Sequence, residues 1–298
     1  MFNAWKAARV ENGLVKRPQP DARVVQTAAP LLKTLGIIVA APGRAGGALA
    51  LAARAAGHQI IGVISRSGAM ADRFQQLPYD SDLPAADLMV IATRDDHIES
   101  TALRLAPHAR LVGGAVHMSG FTSIESLAPL ASMGIDTGSF HPLQSLPDPE
   151  AGARSLAGAW AGLTAAEPLF DVLEGLARSL EMVPFRLLDA MKPIYHAAAA
   201  ASSNFVVAAL DLAGSLLESA AVPFEAIAPL TQTAVANAFA QGPRLALTGP
   251  IARGDWETVR GQFKAIGQAK PDRSRQFRLM AEATAITADT TIPVDPDE

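Results

Sequence analysis

The chain contains no cysteine, and this absence excludes two kinds of chemistry at once. Among its 298 residues there is no thiol that could form a disulfide framework or act as a thiolate nucleophile. The absence also fits a reducing compartment, so we expect a cytoplasmic protein. The length is sufficient for two domains, each with its own core.

The chain also has little charge and no excess of positive charge. Charged residues make up 18% of the sequence, and the net charge is −4 at pH 7. Proteins that bind nucleic acid need a basic surface, so we expect no such partner. The histidines show no HExxH-type spacing and have no close carboxylates, so we expect no metal site.

Long uninterrupted apolar runs are missing as well. The longest candidate, residues 195–217, is interrupted by four polar side chains, namely Ser202, Ser203, Asn204 and Asp211. We therefore predict no membrane span. Residues 1–34 lack the apolar core of a secretion signal and are expected to form a poorly ordered extension. Residues 287–298 are expected to form a disordered tail.

The first half of the chain alternates short apolar runs with helical stretches. The apolar runs that we predict as strands are residues 36–41, 59–64, 87–92 and 110–116. Strands that are apolar along their whole length belong to parallel sheets covered on both faces. The sequence therefore predicts a doubly wound, Rossmann-like α/β domain over residues 35–165.

The second half of the chain is rich in alanine and has the pattern of helices. Prolines lie near the starts of the predicted helices, as is common at the first helical turn. We predict an all-α second domain over residues 166–286. Helices with small-residue faces pack closely, so we expect the chain to form a homodimer.

A glycine-rich turn follows the first predicted strand. The dinucleotide fingerprint G-x-G-x-x-G requires glycine at three positions, which here hold Ala41, Gly43 and Gly46. With one glycine replaced, the turn is a weak signal by itself, but its place between a strand and a helix favours a pyrophosphate site over an ordinary turn. The predicted cofactor-binding residues are Ala41, Pro42, Gly43, Arg44, Ala45, Gly46, Ser65, Arg66, Ser67 and Thr93.

The end of the second predicted strand indicates which dinucleotide is bound. Sites that prefer NAD place an acidic residue there for the ribose 2′-hydroxyl. This chain has Ser65, Arg66 and Ser67 instead. A guanidinium with two hydroxyls suits a 2′-phosphate, and Arg44 adds a second cation. We predict NADP(H) as the cofactor, the alternative being that Arg66 is only a solvated surface residue.

The predicted alanine-rich helix carries a stripe of polar residues. Lys192, His196 and Ser203 lie four and seven residues apart, so they share one helix face, with Asn204 beside them. One interpretation is a solvated or hydrogen-bonded stripe. The other is a cleft between domains in which Lys192 or His196, our predicted catalytic residues, protonates a carbonyl oxygen as hydride arrives.

Further polar residues follow strands or lie in loops. His117 follows a strand at the edge where open α/β sheets bind ligands, and His141 lies in another such loop. Arg253 lies in a loop rich in glycine and proline, where it suits either an anionic substrate or a salt bridge. The predicted substrate-binding residues are His117, His141, Ser203, Asn204 and Arg253.

These segments resemble a known bacterial family. The motifs that carry the resemblance are the strand–glycine turn, TRDDHI, VHMSG, GSFHPLQS, KPIYHAAAAASSNF and NAFAQGPRLALTGPIARGD. They are similar to proteins with a Rossmann-like N-terminal domain and a C-terminal DUF2520 domain, and the resemblance covers residues 36–267. Such proteins belong with the 6-phosphogluconate dehydrogenase-like reductases, such as ketopantoate reductase, pyrroline-5-carboxylate reductase and prephenate dehydrogenase.

The resemblance implies an NADP-linked oxidoreductase with a helical second domain, often dimeric. Lys192 resembles the lysine on the first long helix of that domain in β-hydroxyacid dehydrogenases and ketopantoate reductase. The hydroxyacid dehydrogenases usually have asparagine four residues further on, where this chain has His196. We expect reduction of a small anionic 2-oxo acid of ketopantoate type. The alternatives are a C=N reductase and a non-catalytic NADP-binding protein.

Overall fold

The structure is a computed structural model that describes residues 33–293. Most of the predicted N-terminal extension, residues 1–32, lies outside the described residues, and so do residues 294–298 of the predicted tail. The described chain begins directly before the first strand.

A seven-stranded sheet forms the first half of the fold, with strand order β2-β1-β3-β4-β5-β6-β7. The strands are β1 (Gly36–Ala40), β2 (Gln59–Ile64), β3 (Ala86–Ile91), β4 (Val112–His117), β5 (Asp136–Leu143), β6 (Trp160–Ala165) and β7 (Val183–Arg186). Neighbouring strands are parallel except β5 and β6, which are antiparallel. The carboxyl ends of the first four strands therefore meet at one edge, with Ala40 paired to Ile64 and Ile91 paired to His117.

Helices cover both faces of the sheet. They are α1 (Arg44–Ala55), α2 (Ile98–Leu105), α3 (Ala128–Ala131), α4 (Pro149–Ser155) and α5 (Leu169–Ser179). One core contains Leu49 of α1 and Leu173 of α5, and the other contains Leu105 of α2 and Leu130 of α3. Full burial of such a side chain contributes roughly 1.5–3 kcal/mol, which is why the strands are apolar on both faces.

The sheet extends beyond residue 165, where the sequence analysis places the end of the α/β domain. α5 and β7 follow that point, and β7 pairs with β6 from Trp160 to Leu163. The apolar side chains of α5 pack on the sheet, so this helix belongs to the α/β layer and not to the helical part. A single strand of four residues after an amphipathic helix has too little pattern to be recognised from the sequence.

The remainder of the described chain is helical, which confirms an α/β unit followed by a helical region. It contains α6 (Lys192–Ser219), α7 (Ala228–Gln241), α8 (Pro243–Ala246), α9 (Pro250–Arg253), α10 (Trp256–Ala269) and α11 (Ser274–Thr287). A small core joins Ile251, Val259, Ala281 and Ala285, and Ile292 of the predicted tail packs against it.

α6 is long, apolar and largely uncovered. Its buried residues are Lys192 and Leu212. Among the described residues, the segment Asp189–Ser219 is long and apolar enough to cross a membrane. A stretch of 18 residues within it has a mean hydropathy of 1.4, and 6% of that stretch is buried. The sequence predicts no membrane span, and a single helix of this length and hydropathy does not establish a span. The exposure shows that α6 has a face against which no part of residues 33–293 packs.

Candidate functional site

The glycine-rich turn lies between β1 and α1, at the carboxyl edge of the sheet. Ala41, at the first fingerprint position, has φ +55°, in the left-handed region that glycine adopts without strain. The amide of Gly43 donates to the Ala41 carbonyl at 2.7 Å and closes the turn. The chain thus forms the fingerprint turn with alanine in place of glycine, at a cost of about 1–2 kcal/mol.

The other two fingerprint glycines have different surroundings. A Cβ added to Gly43 would have the Ala41 oxygen as its nearest neighbour, at 4.0 Å, so the space beside Gly43 is open. A Cβ on Gly46 would lie 2.4 Å from the Cβ of Ala92. Gly46 therefore permits close packing of α1 on the sheet, while Gly43 leaves room for an approaching group. These are the roles of the third and second glycines of a dinucleotide fingerprint.

The start of α1 suits an anion. Its first turn carries no acidic residue, and its N-cap, Gly43, makes no side-chain capping bond. Free amide groups and the helix dipole therefore face the open space beside Gly43, where they attract a phosphate. Arg44 is exposed at the same helix end.

The segment after β2 lies next to this turn. The Ala41 amide donates to the Ile64 carbonyl at 2.7 Å, which joins the two segments. Ser65 Oγ accepts from the Ala69 amide at 3.0 Å and lies 3.2 Å from Ser67 Oγ. Arg66 is exposed, with its guanidinium carbon 5.8 Å from the centroid of the Tyr79 ring. The residues of the turn and of the segment after β2 therefore fit a dinucleotide cofactor.

Along the same edge of the sheet, β3 and β4 end in polar residues. Thr93 follows β3 and is half-buried. Two residues later, the exposed Asp95 accepts a hydrogen bond from Ser119 Oγ at 2.7 Å. Asp95 was not predicted as a site residue, although it lies in the TRDDHI motif. Its contact joins the chain after β3 to the chain after β4.

His117 ends β4 and is fully buried beside Ser139 of β5. Its Nδ1 accepts from the Ser119 amide at 3.1 Å, so the proton of the neutral ring is on Nε2. Within the described residues, neither His117 Nε2 nor Ser139 Oγ has a hydrogen-bond partner. Burial, together with the nearby charge of Lys192, lowers the pKa of His117 to about 3. His117 is therefore a neutral, enclosed donor and not a side chain on open surface.

Lys192 begins α6, and its side chain is also enclosed, with an exposed fraction of 0%. Its Nζ donates to the Thr122 carbonyl at 2.6 Å and lies 3.7 Å from Asp189 Oδ1. Burial lowers the pKa of Lys192 to about 8. In this arrangement the amine contacts the protein, and no open surface connects it to a substrate.

Asp189, which the sequence analysis did not predict, completes a link between two segments. Its carboxylate accepts from Ser123 Oγ at 2.6 Å and from the Ile124 amide at 3.1 Å. Lys192 and Asp189 therefore hold the loop after β4 against the first turn of α6. We name Lys192, Asp189, Ser123 and the Thr122 carbonyl the loop–helix clamp. An aspartate just before a helix is common, so the sequence contained no signal for this role.

Four rings form the open side of the site, and we name His141, Tyr195, His196 and Phe121 the ring cluster. His141 Nδ1 lies 2.8 Å from Tyr195 Oη. The ring centroid of His196 is 6.2 Å from that of His141 and 6.0 Å from that of Phe121. His196 and Phe121 are exposed, and His141 and Tyr195 are half-buried. The cluster thus places the exposed imidazole of His196 next to the half-buried imidazole of His141, beside the enclosed Lys192.

Burial keeps the inner pair of the ring cluster neutral. It lowers the pKa of His141 to about 4, with a further contribution from the charge of His196, and raises the pKa of Tyr195 to about 12. Both groups are therefore neutral, and in the tautomer in which Tyr195 Oη donates to His141 Nδ1 the His141 proton is on Nε2. Tyr195 and Phe121 were not predicted; the position of Tyr195 directly before His196 was the available signal.

Three predicted substrate-binding residues lie elsewhere. Ser203 and Asn204 are exposed on α6, about 10 Å along the helix from His196. Arg253, on α9, donates to the Thr248 carbonyl within its own segment. No contact in the described part of the chain joins Arg253 to the ring cluster. No group of three or more potential metal ligands occurs among the described residues either.

Comparison with known families accounts for both halves of this arrangement. Residues 18–142 match the Rossmann-like domain, and residues 159–284 match the domain of unknown function DUF2520. The chain carries a Rossmann-like domain and a DUF2520 domain. The Rossmann-like region supplies the glycine turn, Phe121 and His141, and the DUF2520 region supplies Lys192, Tyr195 and His196. The ring cluster therefore forms where the two regions meet. No curated protein matches the chain.

Solved structures share the fold over most of the chain. A Bacteroides fragilis protein assigned as an NADP oxidoreductase superposes with a TM-score of 0.73 at 18% identity, covering 86% of this chain and 99% of that one. A Streptomyces aurantiacus imine reductase gives 0.59 at 14%, covering 85% and 94%. A Plasmodium falciparum pyrroline carboxylate reductase, solved with NADP bound, gives 0.56 at 12%, covering 86% and 100%. At these identities the likeness shows the fold.

Proposed function

We propose that this protein is an NADP(H)-dependent oxidoreductase that reduces a small carbonyl compound. The observation that carries the proposal is the position of the ring cluster, beside the same sheet edge as the glycine turn. Open α/β sheets bind ligands at this edge. The similar folds of an assigned NADP oxidoreductase and of a reductase solved with NADP support the proposal.

The chain has residues suited to each charged part of the cofactor. The open space at Gly43 and the amides at the start of α1 receive the pyrophosphate. Arg66 and Ser67, with Arg44 nearby, bind the 2′-phosphate. When bound, a nicotinamide dinucleotide supplies the hydride for the reduction.

His196 is the better placed of the two predicted proton donors. It is exposed in the ring cluster, whereas the Lys192 amine is enclosed and donates to the Thr122 carbonyl. His196 gives its proton to the substrate oxygen. In the tautomer in which Tyr195 donates to His141 Nδ1, the Nε2–H of His141 donates a hydrogen bond to that oxygen as negative charge develops. The loop–helix clamp holds Phe121 beside His196 and thereby keeps the wall of the site in place.

A 2-oxo acid of ketopantoate type is our first substrate candidate, and a compound with a C=N bond is the second. The charge of the site favours the second candidate. Lys192 is paired with Asp189 and Asp95 lies at the sheet edge, so the cation that the ring cluster offers a substrate carboxylate is the protonated His196 that also serves as proton donor. A neutral or cationic imine without a carboxylate needs no cation for its binding.

Large exposed apolar side chains support a homodimer, which we propose as the working, cytoplasmic form. Those on α6 and α7 are Ile194, Phe205, Val206, Val207, Leu230, Val235 and Phe239. Large apolar side chains exposed in such number are typical of interaction surfaces. The small-residue faces of α6 are suited to close packing against a helix of a second copy of the chain.

Fluorescence titration with NADPH and NADH tests the cofactor part of the proposal. We expect NADPH to bind at least tenfold more tightly, and Arg66→Glu to remove that preference because it places a carboxylate beside the 2′-phosphate. Arg110→Glu is the matched control, since Arg110 is an exposed cation near the opposite edge of the sheet. Equal binding of both dinucleotides by the wild type would contradict the 2′-phosphate site.

Turnover with 2-oxo acids and cyclic imines tests the chemistry. We expect His196→Ala to lower kcat by about 100-fold, the size of a general acid contribution, with the Kd for NADPH unchanged. Ser202→Ala, an exposed change on the same helix, is the control. Tight NADPH binding without turnover of any of these compounds would favour the non-catalytic alternative.

A further inference from the structure

A second cavity lies in the helical region, apart from the ring cluster. It opens between α10, α11 and the chain that follows α11, and its volume is about 680 Å³. Pockets for small organic ligands are typically of this size. None of the residues of the ring cluster or the glycine turn lines it.

Positive charge is concentrated in this cavity. The lining cations are Arg260 and Lys264 on α10 and Arg275 and Arg278 on α11, against a single described carboxylate, Glu282. Arg260 and Lys264 lie four residues apart, so they point from one face of α10. In the described part of the chain, no carboxylate lies within ion-pair distance of Arg260, Lys264 or Arg275. Like charges gathered in one place repel one another, and a bound anion would remove that cost.

The same cavity has flat apolar walls. Trp256 and Phe263 line it from α10. Phe263 is held on two sides, by the Phe277 ring at a centroid distance of 5.5 Å and by the Arg278 guanidinium 5.0 Å from its centroid. Asp255 caps the start of α10 by accepting from the Thr258 amide and hydroxyl, which fixes the turn that carries Trp256. The rings are therefore presented in a set position.

We propose that this cavity binds a small organic anion with a planar apolar part. The planar part lies against Trp256 and Phe263, and guanidinium and ammonium groups bind its carboxylate, sulfonate or phosphate. The proposed reduction uses none of these residues, so this is a second site whose occupancy is independent of NADPH.

Calorimetric titration with naphthalene-2-sulfonate tests the second site. We expect one molecule per chain to bind to the wild type, and Lys264→Glu/Arg275→Glu to weaken binding at least tenfold. Arg110→Glu/Arg154→Glu is the control, since it makes the same charge change at exposed positions of the α/β part and leaves binding unchanged. NADPH affinity should be the same in all three proteins, which separates this test from that of the proposed function.

Four results would overturn the second site. The first two are that the wild type does not bind naphthalene-2-sulfonate, and that Lys264→Glu/Arg275→Glu binds it as tightly as the wild type does. The third is that the wild type binds the neutral naphthalene-2-methanol equally tightly. The fourth is that naphthalene-2-sulfonate binds only after residues 294–298 are removed. The last result would assign the cavity to the acidic end of the chain itself. A change of sedimentation mass in Lys264→Glu/Arg275→Glu would also count against a ligand site, because it would assign the cavity to a contact between copies.

Discussion

Gly43 and Gly46 are three residues apart in one turn, yet they serve different physical requirements. The position of a Cβ on Gly46 is occupied by the sheet, since Ala92 would be 2.4 Å away. The corresponding position on Gly43 is open, and Gly43 is the N-cap of α1, with φ −69° and ψ −151°. The structure therefore separates a glycine needed for folding from one needed for binding.

Exchanging each of these glycines for alanine distinguishes the two requirements. Gly46→Ala forces α1 away from the sheet and should destabilise the fold by about 1–3 kcal/mol. Gly43→Ala should lower stability by only about 0.5–1 kcal/mol, the cost of alanine at an N-cap, but weaken NADPH binding at least tenfold, because the methyl group occupies the pyrophosphate space. Thermal denaturation and NADPH titration of both variants check this. A loss of stability in Gly43→Ala as large as that in Gly46→Ala would show that its open side is required by the fold instead.

Lys192 makes the free energy of unfolding depend on pH in the alkaline range. Burial lowers its pKa from 10.5 to about 8, so between these values the unfolded chain binds a proton that the folded chain does not. Stability arising from Lys192 is therefore gained as pH rises through this window and lost as pH falls.

Comparison with Lys192→Met isolates this contribution. The difference in unfolding free energy between wild type and variant should shift in favour of the wild type by roughly 3 kcal/mol between pH 8 and 10.5. Below pH 8 the difference should be constant. Urea denaturation at fixed pH values measures it, and a difference that is flat across the window would show that the amine keeps its ordinary pKa.

Among the secondary-structure elements, α6 combines a firmly attached first turn with an uncovered remainder. The attachment is the loop–helix clamp, in which Asp189 accepts two hydrogen bonds from the loop after β4. That loop carries Phe121, which contacts His196 one turn into α6. Asp189 is therefore a positioning residue for the ring cluster.

Asp189→Asn should change more than stability. The neutral amide weakens the bonds to Ser123 and Ile124, and we expect a loss of about 1–3 kcal/mol. The Asp189 charge also raises the pKa of Lys192, so its removal should move the Lys192 titration below pH 8. We expect kcat to fall while the Kd for NADPH is unchanged. Asp136→Asn, which removes an exposed carboxylate at the start of β5, is the control. If the pKa of Lys192 is the same in Asp189→Asn as in the wild type, Asp189 has a purely structural role.

For the whole molecule, the distribution of buried surface differs between the two regions. The sheet has a core on each face, whereas the core of the helical region consists mainly of Ile251, Val259, Ala281 and Ala285. Helices with so little internal core and so many exposed apolar side chains are stabilised by further burial. A second copy of the chain would supply it.

Sedimentation measures this assembly. The wild type should have twice the 31.0 kDa mass of the chain. Phe205→Asp/Val207→Asp should shift the mass to that of one chain, because both side chains are more than half exposed on α6, at 61% and 65%. Leu111→Asp, at an equally exposed apolar position of 63% beside β4, is the control and should stay dimeric. A monomeric wild type that instead binds lipid vesicles would assign the face to a membrane.

The sequence by itself determined the features that depend on neighbouring residues. Apolar strands, the turn from Ala41 to Gly46 and the alanine-rich α6 are recognisable because backbone geometry and helix periodicity act over a few residues. From these patterns the order of the domains, the family resemblance and the edge at which a ligand would bind could be predicted. His117 and His141 were found by their positions after apolar segments, and Lys192 and His196 were found as polar residues in an alanine-rich helix.

Only the tertiary structure decided which of these residues are open to a substrate. Lys192 and His196 are four residues apart and share a helix face in the sequence pattern, but the loop after β4 closes over Lys192 and leaves His196 exposed. For the same reason, the sequence did not predict that α5 and β7 belong to the sheet layer. Nor did it predict the role of Asp189 or the position of Arg253 away from the ring cluster. Each depends on contacts between segments far apart in the chain, whose burial and charge no local pattern specifies.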